Sequence, residues 1–456
     1  MNIIRKYICL ILFFAVSLSL TTIIVSAEPP LNISTQIKSE SVVLMDGDTG
    51  QVLFEKNMRG RIYPASITKV MTALIALEKG NMTDTITMSY DAVWSVGRDT
   101  SHIALDENEQ LTLEQALYAL SIESANDAAN GIAELISGSM PEFAAQMTAK
   151  AKELGALSTN FTNAHGLHDA NHYTTAYDMA LIMSAAVKIP EFTKIFTTVI
   201  YDMPSTNRQP EARTFNRKNS LIEGWYKYDG LIAEKTGWTG DAGFTYVAAA
   251  RRNGRTLVAV VVKSPDQIAR WEDTTILFDY GFNEFAPVSY NANEFNKEQY
   301  IIENADGSKI NTVLIPDGDF NCLILKSLNK EDIEIKYIFS TDGLNGKIDG
   351  KAVFLLKQNF SAFMSHELGE VNLQIYFNNI DEKSSPVSRN ILNDTVQQDE
   401  IKNKKSIISM IFTVISVILQ IIGILTVIWL GLYIRKHIIV EKRKKQRTNN
   451  YNKYNR

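Results

Sequence analysis

The hydrophobic pattern is plainest at the two ends of the chain. Residues 8–20 form a mainly apolar run, and residues 406–434 form 29 consecutive uncharged, mainly apolar positions. About 20 such residues span a bilayer as a helix, so the second run predicts a transmembrane helix over 406–434. From about 38 to 286 helical and strand rhythms mix. Residues 42–45 and 51–54 flank Asp46-Gly47-Asp48-Thr49-Gly50, which predicts a hairpin; the Asp/Gly run lacks the spacing and closing Glu of a calcium loop. Helical patterns follow at 64–79, 112–137, 141–154 and 175–187, with a strand signal at Leu231-Ile232-Ala233. Residues 246–252 and 256–263 are apolar runs joined by Asn253-Gly254, a strong hairpin signal, and a helix is expected over 267–280. Strand pair, helices, strands, then helix predicts an α+β domain whose antiparallel sheet is flanked by helices.

From about 290 to 380 the rhythm changes to short apolar runs at 300–302, 313–315, 323–325, 333–339, 353–356 and 371–377, punctuated by Asp306-Gly307, Asp317-Gly318 and Asp349-Gly350. This predicts a small all-β domain over 290–380. Residues 381–405 are polar and rich in Lys, Asp, Asn and Ser, and predict a flexible linker.

Charge sharpens the reading of the ends. Arg5 and Lys6 precede the first apolar run and Val25-Ser26-Ala27 closes it, as in a secretory signal peptide over 1–27. Residues 435–456 carry nine Lys/Arg and one Glu. By the positive-inside rule this basic tail is cytoplasmic and the body extracytoplasmic, on a single C-terminal span. With +8 on the tail, +2 at the start and no charge over 406–434, the net −5 leaves −15 on residues 28–405. A nucleic-acid binder would carry its basic surface on the folded part, so that class is excluded. At 45% apolar and 21% charged the body can bury a large core, and with only Cys9 and Cys322 it is neither a disulfide scaffold nor a thiolate metal cluster.

The chemistry falls in the first domain. In Tyr63-Pro64-Ala65-Ser66-Ile67-Thr68-Lys69-Val70, Pro64 suits the first turn of a helix, placing Ser66 near its start and Lys69 three residues on, on the same face. A serine hydroxyl needs a base within hydrogen-bond reach, and a lysine whose ammonium is desolvated can be that base. Ser-x-x-Lys alone is common. Here Ser124-Ala125-Asn126 follows 58 residues after Ser66, within a helical pattern, and Lys235-Thr236-Gly237 follows 111 residues after Ser124, at the end of a strand signal. Ser-x-x-Lys, Ser-Asp-Asn and Lys-Thr-Gly together mark β-lactamases and penicillin-binding proteins; the one departure is Ala125 in the second element.

On these three elements, with His172-Tyr173-Thr174-Thr175-Ala176-Tyr177-Asp178, Asp229-Gly230 and Asp279-Tyr280-Gly281-Phe282, residues 38–380 resemble the serine D-alanyl-D-alanine carboxypeptidases, the low-molecular-mass penicillin-binding proteins. The resemblance implies a penicillin-binding, β-lactamase-like transpeptidase fold and no cofactor. It implies a substrate, peptidoglycan stem peptides ending in D-Ala-D-Ala, and inhibition by β-lactams. It casts Ser66 as nucleophile, Lys69 as its base and Ser124 as proton relay to the leaving amine. Asn126 would bind the substrate amide, Lys235 would help keep Lys69 neutral, and the N–H groups of Ser66 and Trp238, beside Gly237, would form the oxyanion hole. Thr236 and Arg270 would hold the substrate's C-terminal carboxylate, Arg270 by its place ahead of Asp279-Tyr280-Gly281-Phe282. The family's better-known members end in an amphipathic surface helix, whereas this chain is expected to span the bilayer.

Three rivals follow from the same residues. A β-lactamase needs a Glu to activate the deacylating water, and no Glu-x-x-Leu-Asn-like segment lies between Asn126 and Lys235. A zinc peptidase would draw on His165, His168, His172 and Asp169, but Gly166 and Asp169-Ala170-Asn171 predict a loop packed under the active site, with no His-Glu-x-x-His helix. A membrane-tethered sensor on the same fold would be labelled by penicillin without turnover.

Overall fold

The computed structural model describes residues 33–217, 220–292, 299–303, 309–341, 348–357 and 366–377. The expected signal, linker, transmembrane run and basic tail lie outside the described residues; among the described residues no helix is long and apolar enough to cross a membrane. The chain divides into two compact units, Met1–Tyr300 with Thr312–Phe377, and Ile301–Asn311 with Asn378–Arg456. The packing described below lies in the first.

Its centre is a five-stranded antiparallel sheet. The expected N-terminal hairpin forms β1 (Ser41–Asp46) and β2 (Val52–Lys56). β3 (Leu231–Thr239), β4 (Gly243–Arg252) and β5 (Arg255–Ser264) complete the order β2-β1-β5-β4-β3, so β3 is an edge. The continuous apolar run of β5 is explained by burial on both faces. Val258, Val260 and Val262 enter one core, while Leu257, Ala259 and Val261 enter the other.

Helices cover both faces. α1 (Lys69–Lys79) is buried from Lys69 through Ala76 and packs on α2 (Leu113–Ile122), α3 (Asn126–Ser137), α4 (Met140–Glu153) and α5 (Ala176–Ala186). α5 lies against β1 and β5, and α6 (Gln267–Glu284) covers the opposite face through Trp271, Leu277 and Phe278. Side-chain caps fix several starts: Thr112 and Gln115 form a capping box on α2, Ser139 caps α4, Thr175 caps α5 and Asp266 caps α6.

Two expected helices are corrected. The pattern at 64–79 is a 3₁₀ turn, Ala65–Thr68, before α1 begins at Lys69. The pattern at 112–137 is two helices, not one: Ser124 has φ +58° and Ala125 is extended, so the chain breaks between α2 and α3. Periodicity missed this because apolar residues keep their helical spacing across the break. The helix expected at 267–280 runs on to Glu284, and the helices Tyr90–Trp94 and Pro190–Thr197 and the hairpin Ile200–Met203 with Arg213–Asn216 were not anticipated.

After α6 comes a strand that was not anticipated, Phe285–Tyr290, and then the expected apolar runs form strands. β6 (Phe285–Tyr290) pairs antiparallel with β8 (Phe320–Leu325). β10 (Ile348–Leu356) lies between β9 (Ile333–Thr341) and β11 (Glu367–Phe377), and β11 also pairs with Thr312–Pro316 of β7 (Lys309–Pro316). The Phe320 and Phe354 rings stack at 3.7 Å. Buried Gln51, at the turn of the first hairpin, donates to Leu323 O and accepts from Leu323 N, each at 2.7 Å, which joins the β-rich strands to the sheet.

Candidate active site

Three of the segments singled out in the sequence meet at the 3₁₀ turn Ala65–Thr68. This turn presents Ser66, half-buried, and hands over to α1, whose first residue is Lys69. The edge strand β3 runs alongside. A Cβ on Gly237 would stand 2.8 Å from Ser66 N and 2.4 Å from Thr245 Oγ1, so only glycine lets the strand approach this closely. Buried Thr245 on β4 donates to Pro64 O at 2.9 Å and locks the turn to the sheet. α3 supplies Asn126 as its first residue; Asn126 N donates to Ser101 O, and Asp127 accepts from the N–H groups of Ile103 and Leu105, which fixes the wall behind it.

At the centre is the Lys69 amine, wholly buried. Its Nζ lies 2.7 Å from Asn126 Oδ1, 2.8 Å from His165 O and 3.1 Å from Ser66 Oγ. Burial, together with the charge of Lys235, holds the ammonium well below the usual lysine range, against a smaller pull from Asp127. A neutral amine has two N–H bonds and one lone pair. Asn126 Oδ1 and His165 O accept the two N–H bonds, because neither can donate. The lone pair is left for the Ser66 hydroxyl, and an amine in that state can take the hydroxyl's proton.

The loop 160–174 underlies this arrangement. Thr72 donates to Ala164 O and Gly166, at φ +88°, lies against the backbone of Ala65. His172 accepts from Thr162 N at Nδ1, and its Nε2 lies 2.8 Å from Thr68 Oγ1. Burial pushes His172 down to about 4, so the ring is neutral with its proton on Nε2, donated to Thr68. His165 is pushed to about 3 by burial and then by Lys69, and its Nδ1 accepts from Leu167 N. His168 sits 3.5 Å from Asp241 and edge-on to Tyr63. The three histidines are thus engaged separately in shaping the loop.

The remaining candidates line β3 and its surroundings. Lys235 is buried, donates to Thr236 O, and is pushed down to about 7 by burial, then by Arg217 and, more weakly, by Arg270, while Glu234 acts the other way. Thr236 is half-buried and Trp238, next to the end of β3, is 61% exposed. Arg270, on α6, is buried with its guanidinium 5.5 Å from the Phe244 ring centroid, and its Nε has no hydrogen-bond partner among the described residues. Ser124 sits at the α2–α3 break, with its Oγ buried and likewise without a partner among the described residues. It is not bonded to Lys69; the residue that reaches the amine from this segment is Asn126.

Sequence reasoning did not find Arg217 and Glu234. Arg217 donates to Ser121 Oγ and Thr198 O and lies 3.5 Å from Glu234, which also accepts from Tyr246 and from Leu221 N. The one sequence signal was a carboxylate, Glu234, inside the apolar start of β3.

Comparison with known proteins agrees with this geometry. The profile of the D-alanyl-D-alanine carboxypeptidase family matches residues 24–266. The chain is 37% identical over 253 residues to the D-alanyl-D-alanine carboxypeptidase DacF of Bacillus subtilis (strain 168); that alignment covers 54% of this chain and 63% of the relative, a little under two thirds of its length. It is 29% identical over 354 residues to DacA of Haemophilus influenzae, covering 75% of this chain and 85% of the relative. Among solved structures, penicillin binding protein 5 from Haemophilus influenzae superposes with a TM-score of 0.59 at 29% identity, over 75% of this chain and 97% of that one. Since the family match takes in more than half of its residues, around a turn that joins Ser66 to a buried lysine amine, this chain belongs to the D-alanyl-D-alanine carboxypeptidase family.

Proposed function

We propose that the chain hydrolyses the D-Ala–D-Ala bond at the end of peptidoglycan stem peptides through an acyl-enzyme on Ser66, and that penicillin acylates the same oxygen. The carrying observation is the Lys69 amine, buried and 3.1 Å from Ser66 Oγ, with both its N–H bonds accepted elsewhere. Ser66 Oγ attacks the carbonyl of the penultimate D-Ala while its proton passes to Lys69 Nζ. The N–H groups of Ser66 and Trp238 stabilise the oxyanion, a contribution of about 10²–10³ in rate. The C–N bond then breaks. The proton then passes from Lys69 to the leaving amine, with Ser124 as relay once its hydroxyl, which meets no partner among the described residues, turns toward the amine of Lys69. Asn126 binds the substrate amide, and Lys235, Thr236 and Arg270 hold the terminal carboxylate, Arg270 with an Nε not otherwise bonded. Water finally hydrolyses the ester and returns the hydroxyl.

The same proposal places the body outside the cytoplasm, exported by residues 1–27 and tethered through 406–434, with the basic tail inside. The support is the apolar and charge pattern of the sequence.

The test is Ser66→Ala in the full chain, with fluorescent-penicillin labelling and D-Ala release from a defined pentapeptide as readouts. Both are expected to vanish while the melting temperature holds; retained turnover would sink the assignment. Labelling of the unaltered protein without D-Ala release would identify a sensor instead. Lys69→Ala is expected to lose acylation more severely than Arg270→Ala, which should chiefly raise KM.

A further inference from the structure

β3 carries a buried carboxylate, Glu234, to which the proposed reaction gives no part. Glu234 is 1% exposed in a strand whose preceding residue, Ala233, is packed in an apolar core. Its carboxylate is fixed on several sides. The hydroxyl of Tyr246, wholly buried on the neighbouring strand β4, donates to Oε2, as does Leu221 N at 3.1 Å, and Arg217 Nη1 stands 3.5 Å from Oε1. Around it are three buried cations: Lys235, next in the chain; Arg217, following the hairpin strand Arg213–Asn216; and Arg270, on α6. Each feels the carboxylate, and Lys235 also feels both arginines as like charges. Burying three cations together without an anion would cost more than their hydrogen bonds return.

We propose that Glu234 is a positioning residue that holds Arg217, Lys235 and Arg270 together as one cationic wall beside Thr236, and thereby sets the preference of the site for substrates ending in a free carboxylate. This rests on the hydrolase reading given above. Tyr246 is its support, since the hydroxyl orients the carboxylate and keeps it from rotating away from Arg217. The groups facing Lys235 are Lys69 from α1, Arg217, Arg270 from α6, and Glu234 from its own strand. Of these, Glu234 is the one that favours its ammonium form by charge. Without it the ammonium gives up its proton at lower pH.

The experiment uses the full-length protein, Glu234→Gln and Tyr246→Phe. Each is assayed with a pentapeptide ending in D-Ala–D-Ala carboxylate and with the same peptide ending in D-Ala–D-Ala amide, from pH 6 to 9. In the unaltered protein the carboxylate peptide is expected to have the lower KM. Glu234→Gln is expected to shrink that KM ratio by about tenfold and to move the alkaline limb of kcat/KM for the carboxylate peptide to lower pH. Tyr246→Phe, which keeps the carboxylate, moves both in the same direction by less and covers the case in which the Gln variant does not fold. A merely structural role would lower the melting temperature and raise KM for both peptides alike; that result, or an unchanged ratio and limb, overturns the inference while leaving the hydrolase reading intact. An unaltered protein that cleaves neither peptide overturns both.

Discussion

Gly166→Ala isolates the contact on which the Ser66–Lys69 pair depends. At φ +88° an alanine is strained whatever the space around it, by about 1–2 kcal/mol. Here the space is also taken. The added Cβ would lie 1.9 Å from Ala65 O, 2.5 Å from Ala65 C and 2.8 Å from Thr68 Oγ1. The nearest obstacles are backbone atoms, so no rotamer change relieves the clash, and one of the two segments has to retreat by roughly 1 Å. If the turn yields, Ser66 moves. If the loop yields, it carries His165 O away from Lys69 and Ala164 O away from Thr72. Either way the lone pair of the amine is no longer aimed at the hydroxyl, and a misplacement of about 1 Å costs on the order of 10²-fold in rate. The assay is the second-order rate constant for acylation by a fluorescent penicillin, followed by stopped flow, alongside thermal melts. Gly50→Ala is the control. It has the same left-handed backbone (φ +79°) but nothing within 4 Å of the new atom, and it lies in the first hairpin turn, so it should lose stability and not acylation. Acylation by Gly166→Ala within about threefold of the unaltered protein would refute the claim that this close approach aligns the pair.

Three further outcomes follow from the same contacts. kcat/KM on a carboxylate peptide should fall on the alkaline side as Lys235, pushed down to about 7, loses its proton; Lys235→Arg should remove that limb, and an unmoved limb would assign it elsewhere. His172 is held neutral, from 6.5 down to about 4, so between those values the unfolded chain takes up a proton that the folded chain refuses. Stability is therefore complete above about pH 6.5 and falls toward pH 4 by about 1.4 kcal/mol per unit, and denaturant titrations should show a flatter fall for His172→Gln. Gln51→Ala leaves Leu323 N and O without their 2.7 Å partners and should cost about 2 kcal/mol in denaturant unfolding with little change in acylation; an unaltered midpoint would show that the β-rich strands are held by other contacts.

The sequence by itself determined the elements and the reactive chemistry. The hairpin at Asp46–Gly50, the Asn253-Gly254 turn, most of the helix positions and the short strands from 299 onward follow from local patterns, because periodicity and turn residues act within a few positions. Ser66 and Lys69 were legible as a pair because three residues along one turn is itself a local distance. Only the tertiary structure decided what lies between them and the rest of the chain. The break at Ser124, with φ +58°, is imposed by packing across α2 and α3, and it is why Asn126, and not Ser124, touches the amine. The carbonyl of His165, the approach of Gly237 to Ser66 and the pairing of Glu234 with Arg217 bring together residues far apart in the chain. The depressed proton affinity of Lys69 comes from the same source. Burial and the neighbouring charge of Lys235 act through space in a low-dielectric interior, and no spacing along the sequence encodes them.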